Sequence, residues 1–211
     1  MEMSNILLIT FSMTLIFLGV VNRLSSYIAT LAFQGILLFG VAFIELIEIN
    51  WINLAFILLE TIVFKTIAIP YFLNYVIHKN SITRDTEPFL PDFVSIVIIT
   101  AIILGSFLLA NAIHDIHLKK LFFVVALSAL FTGLYIIVSR RKIITHVMGF
   151  LVIENGVFVL SLAVGNEMPM LVNIGILLDI FASVFLLGIL ANKIGDVLKE
   201  QDVNQLSNLK D

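Results

Sequence analysis

The chain has 211 residues, of which 60% are hydrophobic and 13% charged, with a net charge of −3 and a mean hydropathy of +1.11. A water-soluble domain of that composition would expose large apolar patches, so lipid is the solvent that fits. There is no cysteine, which excludes disulfides, thiolate zinc sites and iron–sulfur ligation by this chain.

Seven continuously apolar segments follow one another: Asn5–Val21, Tyr27–Leu46, Ile52–Tyr75, Phe93–Ala112, Leu121–Val138, Ile143–Val164 and Met170–Ala191. Each is near the ~20 residues a helix needs to cross the hydrocarbon core. None shows the period of two that marks a barrel strand. The expected fold is therefore all-α, a polytopic membrane protein of about seven transmembrane helices. The first segment has Glu2 rather than a basic start and no small-residue cleavage site after it, so it reads as a retained helix and not a signal peptide.

Lysines and arginines set the expected orientation. With the N-terminus outside, nine basic residues fall inside (Arg23, Lys79, Arg84, Arg140, Arg141, Lys142, Lys193, Lys199 and Lys210), against Lys119 and Lys120 outside. The positive-inside rule then places the C-terminus in the cytoplasm. Arg140, Arg141 and Lys142 read as the inner anchor of the sixth helix. His114 and His117 have an i,i+3 spacing, but no third ligand stands out, so the expectation is an interfacial loop and no metal site.

The chain divides into a three-helix unit over residues 1–80, an inner loop and fourth helix over 81–117, a second three-helix unit over 118–192 and a cytoplasmic tail over 193–211. Ile57-Leu58-Leu59-Glu60 matches Ile176-Leu177-Leu178-Asp179, and Gln34-Gly35 matches Glu154-Asn155 in depth. Helices one to three and five to seven read as a parallel repeat on these matches, a plan found in transport-type membrane proteins.

Four ionisable residues lie deep in these segments: Glu60, Lys65, Glu154 and Asp179. A charge at mid-bilayer costs ~2.5–3.5 kcal/mol on insertion scales, so such groups face a protein interior or a wet cavity and mark ion or proton paths. The bland alternative is structural: a protonated carboxyl that hydrogen-bonds across helices. Glu154 is followed by Asn155 and Gly156, and the glycine permits close helix packing or water beside the carboxylate. Asp179 is too short to snorkel and needs a partner at depth. Glu60 and Lys65 share the third helix, and five residues in α-helical geometry set them ~140° apart. On that basis they point away from each other and form no intrahelical ion pair. Pro70, a little beyond Lys65, is placed to kink the helix.

These motifs resemble a known family. Ser139-Arg140-Arg141-Lys142 leading through Gly149 to Ile153-Glu154-Asn155-Gly156 resembles the second helix of the K-type subunit of respiratory complex I, and Asp179 falls where its third helix carries a membrane glutamate. On an ungapped alignment from Arg140, Glu154 lies three residues after the K-type glutamate, and Asp replaces Glu at 179. The tail Asp202-Val203-Asn204-Gln205-Leu206-Ser207 is similar too. With the Lys65…Pro70 helix and the overall length, the whole chain looks closest to hydrogenase-4 component E, a membrane subunit of group 4 nickel–iron hydrogenase and formate hydrogenlyase complexes.

The resemblance implies a non-catalytic subunit of an oxidoreductase complex in the prokaryotic inner membrane, coupling electron transfer to proton or sodium movement. Glu154, Asp179, Lys65 and Glu60 would line the ion path, supported by Asn155, Gly156 and Gln34; Glu60 enters on its depth alone and is not carried over from the family. The chain would hold no cofactor, the nickel–iron centre and iron–sulfur clusters lying in partner subunits. Its partners would be antiporter-like membrane subunits, a membrane-anchor subunit, the lipid bilayer and a peripheral hydrogenase arm, with no nucleic acid. A purely structural linking subunit and a cation/proton antiporter subunit without redox activity are the competing readings.

Overall fold

A computed structural model describes residues 2–45, 55, 57–79, 88–113 and 118–164. These are helical almost throughout, with no strand among the described residues. The elements are α1 (Glu2–Val20), α2 (Leu24–Glu45), a π-helix (Leu58–Ala68) continuing into α3 (Ile69–Lys79), α4 (Asp92–Ala112), α5 (Lys120–Ser139) and α6 (Ile143–Val164). Five of them, α1, α2, α4, α5 and α6, are long and apolar enough to cross a membrane. The expected all-α polytopic fold is present; the described residues do not establish a count of seven. The third segment divides between a π-helix and a short α-helix, and the seventh lies outside the described residues, as do Asp179 and the tail.

The helices form two antiparallel hairpins, α1–α2 and α5–α6, which pack side by side through α1 on α5 and α2 on α6. The π-helix and α3 lie against α2, and α4 against α1 and α5. The most extensive interface joins α5 to α6, where small residues let the backbones meet. A β-carbon added at Gly133 would stand 2.6 Å from the Gly149 carbonyl oxygen, and one at Gly156 would stand 3.0 Å from the Ala126 oxygen and the Ala129 β-carbon. Of the two roles open to Gly156 from its sequence, the structure gives it close helix packing. Lipid offers no hydrophobic drive for helices to associate, so such close contact supplies the attraction through dispersion.

Both ends of the bundle are tied. At one, Lys119 forms an ion pair with Glu45, joining the start of α5 to the end of α2. At the other, Arg140 is buried, 2% exposed. Its Nη2 donates to the Gly19 carbonyl at 3.0 Å and its Nη1 to Asn22 Oδ1 at 3.3 Å, while Asn22 Nδ2 donates to Asp92. His146 Nε2 lies 2.8 Å from the Arg140 carbonyl, and Pro88 bridges to Arg140 through the Phe89 N–H and the Ser139 carbonyl. This corrects the reading of Arg140 as a simple interfacial anchor. The guanidinium's several fixed donors suit a junction where a helix ends with an open carbonyl beside an amide oxygen, here those of Gly19 and Asn22. Arg141 is exposed and lies over the Phe89 ring at 4.8 Å, as an interfacial cation would. These ties put the ends of α1 and α5 and the starts of α2, α4 and α6 on one side, with Glu45 and Lys119 on the other.

Candidate functional site

The site lies at mid-helix, where α2, the π-helix and α6 meet. Glu60, Lys65, Glu154, Asn155 and Gln34 are all buried, none more than 5% exposed. Lys65 Nζ stands 3.5 Å from Glu60 Oε1. Sequence reasoning set these two side chains on different faces because it assumed α-helical geometry. In the π-helix the Ile69 N–H donates to the Phe64 carbonyl, the i→i−5 bond that defines that register. Five residues then make little more than one turn, and positions 60 and 65 share a face. Pro70 sits just past this point. It has no N–H to give and crowds the carbonyl four residues back, so a widened turn before it relieves a conflict that an α-helix would carry.

Two further features seat the π-helix. Thr66 Oγ1 donates to the Thr61 carbonyl at 2.8 Å, again across five residues. On α2, Gly35 faces this wide turn: a β-carbon there would stand 2.5 Å from Thr66 Oγ1 and 3.1 Å from the Thr61 oxygen. Gly35 is thus what lets α2 bring Gln34 close to the lysine-bearing segment.

Lys65 and Glu154 line a common cavity of about 10 Å³, together with Leu31, Ile69, Leu151 and Asn155. The Lys65 ammonium also lies over the Phe158 ring, 5.1 Å from its centroid. The negative face of the ring offers a buried cation part of the stabilisation that water would give. From the cavity a line of hydrogen bonds crosses the bundle. Asn155 Nδ2 donates to Gln34 Oε1 at 3.0 Å, Gln34 Nε2 to Thr14 Oγ1 at 2.8 Å, and Thr14 Oγ1 to the Phe11 carbonyl at 2.6 Å.

The sequence-derived residues Glu60, Lys65, Glu154, Asn155 and Gln34 therefore converge. Gly156 belongs to the α5 interface, and Asp179 lies outside the described residues, as do His114 and His117. Thr14 and Phe158 were missed. A threonine and a phenylalanine in the middle of apolar helices carry no mark in sequence, because both types recur through this chain. Among the described residues no cluster of metal-binding side chains occurs.

Comparison with known proteins finds relatives of two descriptions. A protein described as uncharacterized, Rv0085 of Mycobacterium tuberculosis, is 21% identical over 191 residues, 89% of this chain and 87% of its own. Hydrogenase-4 component E of Escherichia coli and of Shigella flexneri is 37% identical over 86 residues, 41% of this chain. That match spans 40% of the component E chains. No family model and no solved structure matches the chain. The chain is thus an all-helical membrane protein, part of which is similar to hydrogenase-4 component E.

Proposed function

We propose that this chain is a membrane subunit of a hydrogenase-type, complex I-related assembly, and that its buried Glu60–Lys65–Glu154 centre takes part in ion movement coupled to electron transfer. The observation that carries the reading is a buried lysine with one carboxylate at 3.5 Å and a second lining the same cavity. A cation between two carboxylates can favour one or the other as protons come and go, and each position leaves a different carboxylate ready to accept a proton. Asp179 would extend this centre from the seventh segment, in keeping with its resemblance to the K-type glutamate. Nickel–iron and iron–sulfur chemistry would reside in partner subunits, alongside antiporter-like and membrane-anchor subunits in the prokaryotic plasma membrane, with the Arg140 end of the bundle cytoplasmic.

The Asn155–Gln34–Thr14 line favours a second reading. Satisfied amides at helix interfaces are structural glue, and a subunit that only links the catalytic arm to antiporter-like subunits needs no more. Glu154→Gln separates the two. It keeps volume and hydrogen-bonding capacity, so in the ion-path reading the complex assembles and coupled ion movement falls. Normal assembly with normal coupling leaves only the structural reading. Purification of the native complex through this chain tests the company it keeps: a nickel–iron subunit and antiporter-like subunits are expected. Recovery of antiporter-like subunits without nickel or iron would defeat the hydrogenase assignment.

A further inference from the structure

We infer that an open groove between α1 and α2 seats one acyl chain of an anionic phospholipid, with the lipid's phosphate at Arg23. The groove lies outside the Glu60–Lys65–Glu154 centre, and the inference does not depend on the ion-path reading. Its volume is about 570 Å³, within the roughly 300–1,000 Å³ typical of small-molecule sites. Met13, Phe17 and Phe33 form an exposed apolar rim, and Thr14 and Thr30 are buried beneath it.

The threonines decide what kind of molecule fits. Each of the three that line the groove gives its hydroxyl proton to its own helix: Thr10 to the Ile6 carbonyl at 2.8 Å, Thr14 to Phe11 at 2.6 Å and Thr30 to Ser26 at 2.8 Å. A hydroxyl has one proton, so these residues offer an occupant their methyl groups and no donor. An apolar occupant suits them. The length of the groove favours a lipid chain over a helix of another subunit. On α2 the lining runs from Ser26 to Phe33, ~10 Å along the axis, and so fits within the ~15 Å of hydrocarbon that one leaflet supplies. Toward the other end of the bundle the same two helices expose Ile6, Ile9, Ile36 and Phe43, none of which lines the groove. A crossing helix needs a seat through both leaflets, whereas an acyl chain needs one.

The charge at the mouth selects the headgroup. Arg23 is exposed and precedes Ser26 by three residues, close to one helical turn. Asp92 brings a negative charge nearby, through Asn22. Arg140, bonded to the same asparagine, offsets it and leaves the mouth cationic. A guanidinium meets phosphate oxygens with paired N–H donors. A zwitterionic headgroup carries its own cation and gains less from this field than an anionic one. At the other end of the groove the chain would abut Thr14, the residue that accepts from Gln34 in the line from Asn155.

The test uses the intact complex purified through this chain and returned to phosphatidylcholine nanodiscs. These also contain phosphatidylglycerol with a photoreactive diazirine in its acyl chain. After illumination, peptide mass spectrometry should find adducts on Met13, Phe17 or Phe33 well above those on Phe107 and Leu108, which are comparably exposed on α4. Unlabelled phosphatidylglycerol should compete roughly fivefold better than phosphatidylcholine, the effect of one basic residue at a headgroup. Arg23→Gln should abolish that preference. Ala29→Phe, at an exposed position that lines the groove, should abolish the groove adducts and leave those on α4. Labelling no stronger in the groove than on α4 means bulk lipid only and overturns the proposal. Equal competition by the two lipids, or a helix of another subunit filling the groove in a map of the complex, overturns it too. Should either variant fail to assemble, labelling and competition in the wild type still decide. No step requires hydrogen turnover, so failure here leaves the ion-path reading standing.

Discussion

Replacing Lys65 with methionine isolates the Glu60 charge without emptying the space beside it. At the observed 3.5 Å, and with an effective dielectric constant of ~20, the Coulomb attraction lost is ~5 kcal/mol. The protein need not bear all of that, because Glu60 can take up a proton. Lys65→Met should therefore destabilise the subunit by ~3–4 kcal/mol, in line with the cost of breaking one side of a buried pair. Pairing it with Glu60→Gln removes the stranded charge, and the double variant should recover to within ~1.5 kcal/mol of wild type, since a buried pair is worth little net against neutral replacements. The assay is the thermal midpoint and yield of the complex in mild detergent for wild type, both single variants and the double variant. Strictly additive effects would refute the ion pair, and with it the π-helical register that makes the pair possible, because α-helical geometry would hold the two side chains apart.

Other consequences are open to simpler measurements. Gly133→Ala sets a β-carbon 2.6 Å from the Gly149 oxygen and should destabilise the α5–α6 hairpin by ~1–3 kcal/mol, read as a lower thermal midpoint. Gly35→Ala should displace the π-helix from α2 and, through it, lower coupled turnover more than assembly. Arg140→Leu leaves the Gly19 carbonyl and Asn22 without their donor; a loss of ~2–3 kcal/mol is expected, whereas Arg141→Leu, at an exposed residue, should stay within ~0.5 kcal/mol. The chain has no cysteine, so single cysteines at Arg141 and Lys119 can be labelled from either side of the membrane. The ties at the two bundle ends require opposite sidedness, and labelling of both from the same side would contradict the helix order described here.

The fold was legible because length and hydropathy act on whole segments. Twenty apolar residues specify a crossing helix whatever their order, and five of the expected helices appear within a few residues of their expected bounds. The burial of the candidate residues was legible for a different reason. In lipid, an ionisable side chain at depth must be satisfied by neighbours, so depth pointed to Glu60, Lys65, Glu154 and Asp179; the first three are buried, and Asp179 lies outside the described residues. What sequence could not show was rotation. The face a residue occupies depends on the number of residues per turn, and hydropathy around the third segment is too uniform to report it: Leu58, Leu59, Val63 and Ile67 are exposed while Glu60, Thr61 and Lys65 are buried. An apolar side chain facing lipid and one facing the core look alike.

That uniformity explains why the mistake about Glu60 and Lys65 mattered and why it had a single source. Given the true register, the same reasoning from depth and spacing would have paired them, since that register brings the two side chains to one buried face. The charges themselves gave the better guide to register. Two opposite charges in one apolar segment, five residues apart, cost least when the backbone lets them face each other, and a proline five residues beyond the lysine already penalises the α-helical alternative. Reading buried charges as a constraint on backbone geometry, rather than reading geometry first and placing the charges on it, leads from Glu60, Lys65 and Pro70 to a π-turn.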